Sequence, residues 1–66
     1  MDTNSQIAER LIRIAEVQHI CGLSRSSIYE SIKRGVFPVQ VKLSPKSSAW
    51  LYSEVLAWIN ARAASR

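Results

Sequence analysis

Gly22 falls where two short apolar stripes meet, and this break limits the possible folds more than any other feature of the chain. Before it, Val17, Ile20 and Cys21 recur at spacings of three and four, the pattern of one helical face. A glycine directly after such a stripe tolerates the left-handed conformation that ends many helices, so the first helix is predicted to stop there. Leu23 follows as an apolar anchor. Ser24 stands where its hydroxyl can accept an orphan amide hydrogen of a second helix. Ile28 and Ile32 mark the inner face of that helix, and Gly35 ends it. Two helices this short, joined through a glycine and a cap, predict a helix-turn-helix.

The outer arc of the second helix carries Arg25, Ser26, Ser27, Glu30, Lys33 and Arg34. Small hydroxyl residues near a helix start let its backbone approach a nucleic-acid groove, and long cations reach phosphates or guanine edges. Arg25 and Ser27 are therefore the candidate base readers. Tyr29 borders the apolar stripe, and two readings compete for it: a core ring, or a ring that also points its hydroxyl at a phosphate. Lys33 and Arg34 also have two readings, because cations in a last helical turn complement the helix dipole without any ligand.

After Phe37-Pro38, where proline favours an extended predecessor, Val39, Val41 and Leu43 alternate with Gln40 and Lys42 and predict a half-buried strand. Ser44-Pro45-Lys46-Ser47 places proline second in a turn, and Ser48, Ala49, Trp50 and Leu51 return as a second strand. The result is a hairpin with a cationic tip, in which Lys42, Lys46, Ser47 and Ser48 are candidate contacts. Ser53 is expected to cap a third helix, with Glu54 in its first turn and Val55, Trp58, Ile59 and Arg62 on one face. Trp50 and Trp58 sit in apolar periodic contexts and are read as core pieces. Upstream, Ile12 and Ile14 flank Arg13 in an alternation that predicts a short extended segment, although the same residues could extend the first helix backwards.

A chain of 66 residues permits one domain with a small core and no large cleft. Residues 1–9 are expected to form a flexible arm, 10–63 the domain and 64–66 a tail. The formal net charge is +4, and its distribution is uneven: −1 over residues 1–22, +4 over 23–48 and +1 over 49–66. Positive charge thus coincides with the second helix and the hairpin, which points to double-stranded DNA as the partner. The lone cysteine, Cys21, falls on an apolar stripe and suits a reducing cytoplasm. No run approaches a membrane span, and the N-terminus lacks the features of a signal peptide. An enzyme is not expected, nor a metal or cofactor. His19 and Cys21 are two residues apart and diverge on a helix, and the serines of SRSS lack an activating base.

The run RLIRIAEVQHICGLSRSSIYESIKRGVFPVQVKLSPKSSAWLYSEVLAWINAR resembles the AlpA family of phage-type regulators, itself similar to excisionases and MerR-type DNA-binding domains. The leader RLIRIAEV, the GLSRSSIY junction, the KRGVFP helix end, the VKL strand and the closing helix carry the resemblance together. It implies a mainly α winged helix-turn-helix with a small β-hairpin. The recognition helix would be 24–34, lying in the major groove, and the wing 42–48, lying against the backbone or minor groove. It further implies a transcriptional regulator of prophage or integrative-element genes, or an excision factor. The wing tip departs from the family, showing Ser44-Pro45-Lys46-Ser47-Ser48 where glycine and arginine are common, and lysine lacks arginine's planar fork. Other partners weighed are a second copy on repeated sites and an integrase or other regulator. A protein-interaction module is the rival from another class.

Overall fold

The computed structural model describes residues 9–66, in the order β1 (Leu11–Ile12), α1 (Ile14–Cys21), α2 (Arg25–Lys33), β2 (Val41–Ser44), β3 (Ser47–Leu51) and α3 (Tyr52–Ala64). The arm expected over 1–9 lies outside the described residues apart from Glu9. This is a winged helix-turn-helix: three helices on a small antiparallel sheet of order β1-β3-β2.

The glycine junction forms as expected. Gly22 adopts φ +71°, and its amide donates to the Gln18 carbonyl at 2.8 Å, closing α1. Ser24 accepts from the Ser27 amide at 3.1 Å and caps α2. Gly35, at φ +75°, terminates the second helix. Val17 of α1 and Ile28 of α2 are both fully buried, so the two helices meet through the stripes read from the sequence.

The extended segment near the N-terminus is shorter than its alternation suggested. Leu11 and Ile12 pair with Leu51 and Trp50, whereas Ile14 already begins α1. The core gathers Ile12, Val17, Ile28, Phe37, Trp50 and Val55, with Trp58 and Ile59 packed against it. Trp50 is completely buried, and its indole N–H donates to the Pro38 carbonyl at 3.1 Å. Trp58 is half-buried, meets Phe37 edge to face at 4.9 Å and donates to the Val36 carbonyl at 2.8 Å. Both tryptophans thereby fasten residues 36–38, the link from α2 to the wing.

Two expectations are corrected. The alternating Val39, Val41 and Leu43 do not make a half-buried strand. Val39 precedes β2 and is 66% exposed, and Val41 and Leu43 are 36% and 47% exposed. The reason is topological, because β2 is an outer strand that pairs only with β3, and no described element covers its apolar side. Ser53 does not cap α3. The helix follows β3 without a linker, Leu51 holds the cap position, and the Tyr52 amide donates to the Arg10 carbonyl of the neighbouring chain segment at 2.8 Å. A backbone acceptor thus satisfies that amide, and the Ser53 hydroxyl instead donates to the Glu9 carboxylate at 2.6 Å.

Candidate nucleic-acid interface

Every residue on the outer arc of α2 is solvent-accessible. Arg25, Ser26, Ser27, Glu30, Lys33 and Arg34 are exposed, while Ile28 is buried beneath them. The first turn holds no acid and places Arg25 at the positive end of the helix dipole. A cation there is electrostatically disfavoured in the isolated fold, and an incoming anion would reverse that cost.

The Ser24 hydroxyl also donates to the Ser27 hydroxyl at 3.0 Å, which holds Ser27 in place and leaves its own O–H as the free donor. Arg25 lies over the Tyr29 ring at 5.5 Å, one helical turn on. Tyr29 in turn meets the buried Trp50 edge to face at 6.0 Å. The ring of Tyr29 is thus half in the core, and it orients the arginine above it.

The wing closes against this end of the helix. Pro45 and Lys46 form the turn between β2 and β3, the Lys46 amide donates to the Ser44 hydroxyl at 3.3 Å, and the register slips between Lys42 and Ser44. Lys42 pairs across the hairpin with Ser48. Arg25, Tyr29, Lys42, Lys46, Ser47 and Ser48 line one concave cleft of about 320 Å³ between α2 and the wing. Six of the residues singled out from the sequence therefore converge.

The others do not join them. Ser24, Ser26 and Ser27 sit at the start of α2 outside the cleft, and Lys33 and Arg34 lie at its far end, about 12 Å along the axis from Arg25. One charged lining residue was not a candidate: Arg13, at the turn from β1 into α1. Its only signal in the sequence is a cation between two isoleucines, and that is equally the mark of a strand's solvent face. Glu30 shares the exposed outer arc with Ser26 one turn earlier.

Residues 10–63 match the family described as the prophage CP4-57 regulatory protein, AlpA. The chain belongs to the AlpA family. That match spans both helices of the motif, the wing and nearly all of α3, so the cleft lies wholly inside it. The chain is also 59% identical over 58 residues to an uncharacterized protein, ORF88, of Enterobacteria phage P4. The alignment takes in 88% of this chain and 66% of the phage protein. AlpA proteins are phage regulatory proteins, and the fold and the basic surface of this member agree with that class. Among the described residues, no helix is long and apolar enough to cross a membrane.

Proposed function

We propose that this protein binds double-stranded DNA with sequence specificity and regulates transcription of prophage or integrative-element genes from the cytoplasm. The observation that carries this reading is the convergence of Arg25 from α2 with Lys42 and Lys46 from the wing on one cleft. Such an arrangement lets α2 enter the major groove while the wing grips the adjoining backbone. Arg25 and Ser27 read bases, and Tyr29, Lys33, Arg34, Lys42, Lys46, Ser47 and Ser48 hold phosphates. Selection of bound sequences from a random duplex pool at near-physiological salt tests this, with Arg25→Ala as the control. An enriched motif that disappears in the control supports it, and a folded protein that enriches nothing sinks it. Whether the enriched motif occurs at promoters or at attachment sites separates a regulator from an excision factor.

A second reading, contact between neighbouring copies bound to repeated sites, is favoured by the exposed Val39, Val41 and Leu43 beside the wing. One recognition helix reads only a few base pairs, so a second copy would supply missing specificity. Under this reading Val41→Lys leaves binding to a single site intact and abolishes cooperativity on a tandem site, measured by mobility shift.

A further inference from the structure

We propose that the cleft between α1, α2 and the wing seats one phosphodiester group of the DNA backbone, and that Arg13 holds it together with Lys42 and Lys46 while Arg25, at the edge of the cleft, reaches on to a base. This rests on the DNA-binding reading above and extends the contact surface to α1, outside the recognition helix and the wing. Four cations from separate stretches of the chain meet there: Arg13 before α1, Arg25 at the start of α2, Lys42 on β2 and Lys46 in the turn. Among the described residues, no carboxylate lines the cleft. Gathering four like charges is unfavourable until an anion enters, which marks the cleft as a ligand seat rather than a structural contact.

The fate of the neighbouring arginines sharpens the assignment. Arg10 pairs with Glu16 at 2.8 Å and stacks on Tyr52, and Arg62 stacks on Trp58. Those two are occupied by the fold. Arg13 is exposed and has no carboxylate partner among the described residues. It also occupies the cap position of α1, where its carbonyl accepts the Glu16 and Val17 amides at 3.0 Å and its side chain makes no cap bond. The backbone of Arg13 thus builds the helix, while its guanidinium is held by no carboxylate among the described residues. The positive end of the α1 dipole opens on the same cleft, with Ile14 in its wall. A guanidinium offers a planar fork to two phosphate oxygens, and Ser47 and Ser48 line the same cleft.

The experiment measures binding of the wild-type protein and Arg13→Ala to the selected duplex in which each backbone phosphate is replaced in turn by an uncharged methylphosphonate. For the wild type, one replacement per bound copy should weaken binding by about tenfold. Arg13→Ala should lose about as much on the unmodified duplex, lower the salt slope by about one unit and lose much less on that single replacement. Because the side chain takes no part in the cap, thermal melting of Arg13→Ala should match the wild type, and Arg13→Lys should restore part of the affinity. Unchanged affinity and slope in Arg13→Ala would overturn the assignment while leaving the DNA-binding reading in place. An equal loss at every replacement would overturn it too, reducing Arg13 to general charge. A wild type that binds no duplex but is protected from heat by inorganic phosphate would mean a free-anion site, and both readings would fall.

Discussion

Among the described residues, Gly22 and Gly35 are the two positions where the backbone turns left-handed, and at neither would an added Cβ meet another atom within 4 Å. The penalty for Gly22→Ala is therefore conformational alone, about 1 kcal/mol. Urea unfolding measures it, and a loss above about 3 kcal/mol would reveal crowding that this junction does not have. Arg25→Ala should act differently, costing ~1 to 3 kcal/mol on the cognate site and much less on random duplex if the residue reads a guanine. Equal losses on both would demote it to a phosphate contact. At Cys21, burial pushes the thiol above its ordinary range. Folding therefore disfavours the thiolate, so stability is complete at neutral pH and falls only as alkaline pH passes through the raised value. Alkylation at a fixed alkaline pH should be slower for the native protein than for the urea-unfolded chain. Equal rates would place the thiol in open solvent.

Among the elements, α2 depends most on local chemistry, and Ser24→Ala should cost about 1 kcal/mol by removing the only side-chain acceptor at its start. The two tryptophans should separate in the same assay. Trp50→Ala removes a fully buried ring together with its bond to Pro38, so a loss of roughly 3 to 5 kcal/mol is expected, enough to unfold so small a domain. Trp58→Phe keeps an aromatic edge for Phe37 and loses chiefly the bond to Val36, so it should fold with a deficit of about 1 to 2 kcal/mol. A folded Trp50→Ala would mean that the core lies elsewhere. These elements also explain what the sequence could tell. The Gly22 break, the Ser24 cap and the Ile28 face are local patterns, written within a few residues, and all three appear in the structure. A strand forms at Val41 as the alternation predicts, but its half-burial does not follow, because alternation specifies two faces and says nothing about whether a neighbour covers either. Ser53 failed as a cap because α3 begins one residue before it, at Tyr52, whose amide bonds the Arg10 carbonyl more than forty residues away in the chain, and Ser53 therefore lies inside the first turn. Arg13 escaped notice for a related reason, since only tertiary packing brings it beside the wing.

For the molecule as a whole, charge and shape agree on one working face. The net charge of +4 arises mostly between residues 23 and 48, the stretch that holds α2 and both strand ends of the wing tip. Six cations are available on this side: Arg13, Arg25, Lys42 and Lys46 at the cleft, and Lys33 and Arg34 at the far end of α2. If Arg25 reads a base, the other cleft cations share one phosphate and Lys33 and Arg34 neutralise one each, so one bound copy releases about three counterions, and log K should fall against log salt with a slope of about −3. Raising salt from about 50 to 200 mM should then weaken binding to a single site by roughly 40-fold. Fluorescence anisotropy on a short duplex carrying one selected site measures this directly. A slope near zero would remove DNA from the account, since no other term in so small an interface could supply the affinity. A slope near twice the expected value would mean that two copies bind even on the short duplex. In that case the exposed apolar strip at Val39, Val41 and Leu43 becomes the place to break the pair, and Val41→Lys should return the slope to that of a single copy.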